Sequence, residues 1–446
     1  MQEFISLLHS DDLRLAHRKS PKVFCRASPL NFLTLVSWFL ASPCACVQTE
    51  LDNFFATLRE RSQLLRTVSA QALSQARKGL LPSVFTALNA HLVRLVESQF
   101  AQPLWHGLRV VAADASDVRL AAHDATRRLL TQAKVFCLYL PMLEMSLHAE
   151  LYSPCTGERQ MLFENLDRLS PSDLLVLDRG YPASWLAGAM QMRGLFFCMR
   201  VDQVGGKVVH DFVRGGADQA LVQLSAPEPD DVRDYGVPAN GITVRLIRLL
   251  TPEGEVRVVM TNLLDEEAFK HEEFAALYHH RWRVEEAFKR VKHRLHLEHV
   301  TGLSWQCHQQ DLGAKILSDN LQALLCMEAL TTRKDVLALH TAARDSSSVT
   351  MGVPASPGSA WIDANEPSVL NTREGKQKKV NRTRAFAAIR RSLPRWLQTG
   401  AVAADELANL LKHIATNLID YIGMRSRPRN MPTTKPHNHF AYKSAA

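Results

Sequence analysis

The sequence predicts an α/β protein, with a mixed core in the middle of the chain and helical regions before and after it. Three observations carry this. Residues 1–95 show amphipathic helical runs, around Pro29–Ala41, Gln48–Glu60 and Ser69–Ser98. From Leu108 the texture changes to apolar runs of strand length, Leu108–Ala113, Val135–Tyr139, Leu143–Leu151 and Leu174–Leu177, followed by a helix-like Trp185–Arg193 and a strand-like Leu195–Val201. A final helical stretch covers roughly Arg384–Ile422.

The order of these textures divides the chain. Residues 1–100 form a helical N-terminal region and 101–201 the first part of the core. Residues 202–255, punctuated by Gly and Pro, read as a β-rich insertion, with runs such as Lys207–Val213 and Ile242–Leu250 typical of hairpins. Residues 256–340 return to the core through the strand Val256–Thr261 and a long helical segment from Glu266 to Leu297. Residues 341–383 form a linker rich in Ser, Pro, Gly and Lys, and 384–446 a basic helical C-terminal region. At the N-terminal side, Ser69 is suited to capping a short helix. Such a helix can enter a major groove, although a plain surface helix is the preferred reading.

Composition bounds the function. With 446 residues, 46% hydrophobic and 22% charged, the chain is long enough for two to four parts and a substantial core. The apolar stretch Asn31–Ala41 is about half the length needed to cross a bilayer. It follows the charged stretch His17–Lys22, an outline of a secretory signal, but the long polar segment before it favours a buried helix. Eight cysteines without a C-x-x-C pair give neither a disulfide framework nor a zinc ribbon, so a reducing cytoplasm and no membrane are expected. Net charge is +8, from 53 Lys and Arg against 45 Asp and Glu. The excess lies at the end of the chain: residues 371–446 hold 15 basic and 4 acidic residues. A polyanion partner there, or a solvated tail, accounts for it.

The most informative stretch is Tyr278-His-His-Arg281-Trp-Arg-Val-Glu285-Glu-Ala-Phe-Lys-Arg-Val-Lys292. On one helix, Tyr278 set at zero puts Arg281, Glu285 and Lys292 at about 300°, 340° and 320°. Leu277, Val284, Phe288, Val291 and Leu295 lie beside that stripe, and His279, Arg283, Glu286, Arg290 and His293 on the far side. Packing would then hold Glu285 while leaving it able to reach a cleft. Asp114 and Asp178 each end an apolar run of strand character, where a carboxylate emerges at an edge. Asp117 is an alternative to Asp114, but lies beyond the apolar run. Three converging carboxylates repel one another unless a cation neutralises them. Oxygen ligands suit Mg2+ or Mn2+, and two such ions about 4 Å apart serve phosphodiester chemistry. His279 and His280 point in different directions on a helix and are expected on a solvated face. Gly205-Gly206 reads as a turn.

These residues resemble a known family. Tyr278-x2-Arg281-x3-Glu285-x6-Lys292 is similar to the Y-R-E-K signature of DDE transposases from bacterial insertion sequences, the insertion-sequence-four group. Asp114-Ala115-Ser116 and Asp178-Arg179-Gly180-Tyr181 resemble its two aspartate motifs, and Ser69–Phe85, Arg427-Pro428-Arg429 and Lys435-Pro436 resemble weaker family blocks. The resemblance implies an RNase H-like core with a β-rich insertion between the second Asp and the Glu. It also implies Asp114, Asp178 and Glu285 as catalytic residues holding two Mg2+ or Mn2+ ions, and DNA contacts from Tyr278, Arg281, Lys292 and Arg179. Double-stranded DNA, both terminal inverted repeats and target, is the expected partner, bound by a homodimer at a bacterial nucleoid. Two departures stand out. Ala115 replaces the usual Gly, and no Trp lies between Trp185 and Trp282 to hold a flipped base in a hairpin intermediate. The alternatives are an RNase H-like nuclease without strand transfer and a catalytically silent, transposase-derived DNA-binding protein.

Overall fold

A computed structural model describes residues 1–101, 103–123, 129–202, 206–250, 254–342, 369–371 and 377–420. The N-terminal region is helical as expected: α1 (Gln2–Leu8), α2 (Asp11–Ala16), α3 (Phe32–Leu40), α4 (Val47–Leu58), α5 (Ala70–Ala76) and α6 (Ser83–Gln99). The apolar stretch that outlines a signal is α3, capped by the Asn31 side chain and almost wholly buried. Ser69 accepts from the Ala72 N–H at 3.1 Å and starts α5. The run Ser69–Ser98 is two helices rather than one, because a 3-10 turn at Arg77–Gly79 and Pro82 interrupt it. The short α5 buries Leu73 and lies at the surface.

The core is one eight-stranded sheet. Its strands are β1 (Arg109–His123), β2 (Leu129–Leu140), β3 (Met145–Tyr152), β4 (Asp173–Leu177), β5 (Phe196–Val201), β6 (Gln219–Gln223), β7 (Thr243–Leu250) and β8 (Val256–Thr261), in the order β3-β2-β1-β4-β5-β8-β7-β6. Strands β1 to β3 are an antiparallel meander, whereas β4 pairs parallel to β1 and β5 parallel to β4. A parallel pair needs a crossover, supplied by α7 (Glu158–Asn165) before β4 and α8 (Ser184–Met192) before β5. This 3-2-1-4-5 order with β2 reversed is that of an RNase H-like core.

Segment 202–255 adds β6 and β7 to the sheet and two short helices, α9 (Lys207–Gly215) and α10 (Pro229–Tyr235). Lys207–Val213, expected in a hairpin, is helical. Its apolar residues Val209 and Phe212 are three apart and bury one helical face, so the period is helical after all.

The expected long helix through Leu297 is also broken. It comprises α11 (Phe274–His279), α12 (Trp282–Lys289) and a π-turn at Arg290–Arg294. Then follows α13 (Trp305–Ala342), which the sequence reading did not single out as a helix. Its buried stretch from Leu312 to Leu330 includes Asp319, Asn320 and Gln322, polar residues that obscure the apolar face. Helix α13 packs on α3, α6 and β3 and joins the N-terminal region to the sheet.

After α13 the chain continues with β9 (Val369–Asn371), β10 (Gln377–Val380), α14 (Arg382–Thr399), α15 (Ala404–Thr416) and β11 (Leu418–Asp420). Strands β9 and β10 occupy part of the expected linker. Most of the linker and the basic tail with Arg427-Pro428-Arg429 and Lys435-Pro436 lie outside the described residues. Helix α14 packs on α3, α4 and α13, so the two ends of the chain share one helical layer. No helix among the described residues is long and apolar enough to cross a membrane. The eight cysteines are free thiols.

Two apolar layers cover the sheet. Val111, Ala113, Leu175 and Leu177 face the layer with α3, α6, α7, α8 and α13; Val110, Ala112, Leu174 and Val176 face the layer holding α11 and α12. Side chains alternate along a strand. Asp114, two residues beyond Ala112, therefore falls on the side of α12.

Candidate active site

Strand register brings the two aspartates together. Ala112 pairs with Val176 across the parallel β1–β4 ladder. Carried on by two residues, that register sets Asp114 beside Asp178, on neighbouring strand positions about 5 Å apart. Asp114 is still inside β1, opposite Cys137 of β2, and its Oδ1 accepts the Ala115 N–H at 2.9 Å. Asp178 is the first residue beyond β4, and its side chain is 35% exposed.

Helix α12 closes the site from above. Its apolar residues Val284, Ala287 and Phe288 pack into the sheet layer, which fixes Glu285 at the edge. Arg281, only 5% exposed, donates from Nη2 to Glu285 Oε1 at 2.9 Å, and its Nη1 stands 3.9 Å from Asp178 Oδ2. Tyr278 Oη donates to Asp178 Oδ1 at 3.2 Å. Lys292 reaches the other side of the site, donating to Ser116 Oγ and to the Asp117 carbonyl, both at 2.6 Å. Tyr278, Arg281 and Glu285 thus gather at Asp178, and Lys292 reaches the Ser116–Asp117 stretch of the neighbouring strand, despite the break before α12 and the π-turn. Asp117 offers its carbonyl while its side chain is exposed, which favours Asp114 as the site carboxylate.

Electrostatics mark Asp114. Burial pushes its carboxyl up to about 7; the Arg281 charge and the Ala115 N–H oppose that, and the charges of Glu158 and Glu285 add to it. Burial also raises the Tyr278 hydroxyl, keeping it a neutral donor. Arg281 stays charged: burial works against it, but Tyr278, Asp178 and Glu285 outweigh burial.

Some expected residues sit elsewhere. Arg179 is exposed, with its nearest ion-pair partner Asp202 at 3.9 Å. His280 is buried rather than solvated, and burial lowers its imidazole to about 3, with Arg283 and His279 contributing. Arg290, placed on the solvent side by the helical wheel, is partly buried against Asp319 at 3.3 Å and Tyr139 Oη at 2.9 Å. The helix is covered on that side by α13, a packing that its own periodicity does not register.

Two residues near the site gave no signal in the sequence. Glu158 opens α7, and its charge acts on Asp114 and feels Asp178. A Cβ on Gly180 would come within 2.8 Å of Glu158 Oε2, so the carboxylate lies against the Asp178-Arg-Gly180 turn. Burial raises the Glu158 carboxyl; Lys134 opposes, and Asp178 and Asp117 add. Its sequence neighbourhood gave no signal, because only the α7 crossover brings it there. Trp282 is a second, 38% exposed beside Arg281, whose Cζ lies 4.9 Å from the ring centroid.

The donor set suits a hard divalent cation in kind: carboxylate oxygens, part-buried, on separate rigid elements. As spaced, no three acidic, His or Cys side chains among the described residues gather tightly enough to hold an ion. The Arg281 guanidinium places a positive charge next to both Asp178 and Glu285.

Residues 105–321 match the Transposase DDE domain family. The matched stretch contains Asp114, Asp178 and Glu285 together with Tyr278, Arg281 and Lys292. Over 269 residues the chain is 24% identical to Transposase InsG for insertion sequence element IS4 of Escherichia coli (strain K12), which places its resemblance in the insertion-sequence-four group. That alignment covers 57% of this chain and 60% of the relative, so the chain spans less than two thirds of that protein. Among solved structures, the chain is similar to a piggyBac transposase in a synaptic complex with hairpin DNA, at 9% identity and a TM-score of 0.38, over 98% of this chain and 85% of that one.

Proposed function

We propose that the chain is a metal-dependent DNA transposase that cleaves element ends and joins them to target DNA. The observation supporting this reading is Arg281 standing against both Asp178 and Glu285, with Tyr278 bonded to Asp178, Lys292 bonded to Ser116, and the charges of Arg281 and Glu285 acting on Asp114. These are the parts phosphodiester exchange needs. Asp114, Asp178 and Glu285 would hold two Mg2+ or Mn2+ ions, which supply charge neutralisation at the phosphate and a deprotonated nucleophile. Arg281 and Lys292 would fix the scissile phosphate and offset charge developing on it, and Tyr278 would donate a hydrogen bond at the Asp178 side.

Two displacements follow. Water attacks the phosphodiester at the element end, forming one P–O bond and breaking the P–O3′ bond. A 3′-hydroxyl and a 5′-phosphate result. That 3′-hydroxyl then attacks a target phosphodiester, releasing a target 3′-hydroxyl. The phosphodiester count is conserved in the second step, so no further energy source is required.

The division of labour follows the domain order. Residues 1–100 would read inverted repeats, 101–201 and 256–340 would carry the chemistry with Arg179 as a DNA contact and 202–255 as insertion, and 384–446, beyond the linker 341–383, would add non-specific phosphate contacts. Two ends must be held together, so a homodimer on DNA is expected, in the bacterial cytoplasm at the nucleoid. In a strand-cleavage assay with the element's own ends, Glu285→Gln is expected to abolish nicking while leaving end binding intact. Retained nicking would overturn the assignment. Wild-type nicking without joined products would instead make the chain a nuclease, and end binding without any nicking a silent DNA-binding protein.

A further inference from the structure

Arg281 holds a position that an ordinary phosphate-binding arginine does not. It is buried and lies between two triad carboxylates, at 2.9 Å from Glu285 and 3.9 Å from Asp178, with its charge acting also on Asp114. A guanidinium cannot lose its proton in a protein, so it can be relieved of this position only by moving. Its Nε, buried, has no hydrogen-bond partner among the described residues. An unsatisfied donor in a buried charged group needs an explanation, and a partner that arrives later supplies one. Tyr278 and Trp282 flank the guanidinium at 5.8 and 4.9 Å, giving it aromatic faces along which to shift while still charged. Arg281 also sits at the break between α11 and α12, where its N–H bonds the Tyr278 carbonyl at 3.1 Å in a tighter, 3-10-like step.

We propose that Arg281 is an exchangeable counter-ion: it neutralises the triad in the metal-free protein, competes with divalent cations for the carboxylates, and moves to the DNA phosphate when those cations bind. The inference rests on the reading of Asp114, Asp178 and Glu285 as metal ligands. Two consequences follow. Metal binding by the free protein is weakened by the need to displace Arg281. DNA, by accepting the guanidinium, strengthens metal binding, and metal strengthens DNA binding by the same factor.

The test is Mn2+ binding followed by electron paramagnetic resonance on the full chain, without turnover. Arg281→Gln is expected to bind Mn2+ at least about fivefold more tightly than wild type, the lower end of ordinary coupling between sites. A non-cleavable DNA duplex should tighten Mn2+ binding to wild type by a similar factor and to Arg281→Gln hardly at all. If Arg281→Gln folds only when Mn2+ is present, as read by circular dichroism, the exchange also stands, since metal then replaces the missing cation. If it does not fold in either condition, Arg281→Lys takes its place, with a smaller gain of about threefold expected from a point charge that cannot bridge two carboxylates. Unchanged or weaker Mn2+ binding in the folded variant would overturn the exchange, making Arg281 a fixed brace for Glu285. Asp178→Asn separates the two failures. If it leaves Mn2+ binding as in wild type, the triad reading itself is wrong; if it removes binding while the Arg281 variant changes nothing, only the exchange is.

Discussion

Lowering pH should weaken divalent-metal binding through one identifiable group. Asp114 has its carboxyl pushed up to about 7, chiefly by burial. A cation binds the carboxylate and not the acid, so metal and proton compete there. With a midpoint near 7, about a tenth of the groups are ionised at pH 6 and about nine-tenths at pH 8. Apparent Mn2+ affinity should therefore rise about tenfold from pH 6 to pH 8 through this group alone. Stability moves the other way. The folded chain keeps a proton that the unfolded chain has lost above about pH 4, so the stability contributed by Asp114 is complete below about 4 and is lost as pH rises through about 7. Metal restores it, and the thermal shift on adding Mn2+ should be larger at pH 8 than at pH 6. The assay is an Mn2+ titration at fixed ionic strength with Asp114→Asn as reference, whose binding should be weak and flat across the range. Wild-type affinity that is equally flat between pH 6 and pH 8 would refute the argument.

The other expectations concern docking and DNA contact. Arg77 and Asp311, 2% and 3% exposed, are paired at 3.0 Å within a network including Thr301 and Gln310, and tie the N-terminal helices to α13. Asp311→Ala strands a buried cation and should cost about 3–5 kcal/mol, seen as a lower urea midpoint with unchanged slope; a loss below about 1 kcal/mol would show that the network is not holding the two layers together. Lys292→Ala should lower the slope of log affinity against log salt by about one and weaken binding to all sequences alike. An unchanged slope would mean that Lys292 stays on Ser116 and Asp117 when DNA binds. Trp282, exposed beside Arg281, offers a face on which a base can stack, so Trp282→Ala should cost about 1–3 kcal/mol in binding of single-stranded or frayed ends while Trp282→Phe keeps most of it. Equal loss in both variants would point to its contact with Arg281 instead.

What the sequence revealed depended on whether the relevant physics was local. Asp114 and Asp178 stand where apolar strand runs stop, and neighbouring parallel strands then bring them together; both facts follow from burial of β1 and β4 on their two faces. The stripe of Tyr278, Arg281, Glu285 and Lys292 was legible because period 3.6 survives a 3-10-like step and a π-turn well enough over four turns. The breaks themselves were not. Arg290 and His280 were misplaced because a helix covered on two sides buries polar groups that find partners elsewhere, here Asp319 and Tyr139 for Arg290. Helix α13 was obscured for the same reason: Asp311, Asp319 and Asn320 are buried by pairing with Arg77, Arg290 and Asn89. Glu158 reaches the site only through the α7 crossover, and the role of Arg281 as the charge within the triad depends on distances that no spacing encodes.

Anomalous scattering from a crystal of the protein with Mn2+ and a non-cleavable DNA end would locate the ions themselves. Manganese peaks are expected within coordination distance of carboxylate oxygens from Asp114, Asp178 and Glu285, with Arg281 turned onto a phosphate. Peaks at other side chains, or a triad still bridged by Arg281 at saturating Mn2+, would contradict this arrangement.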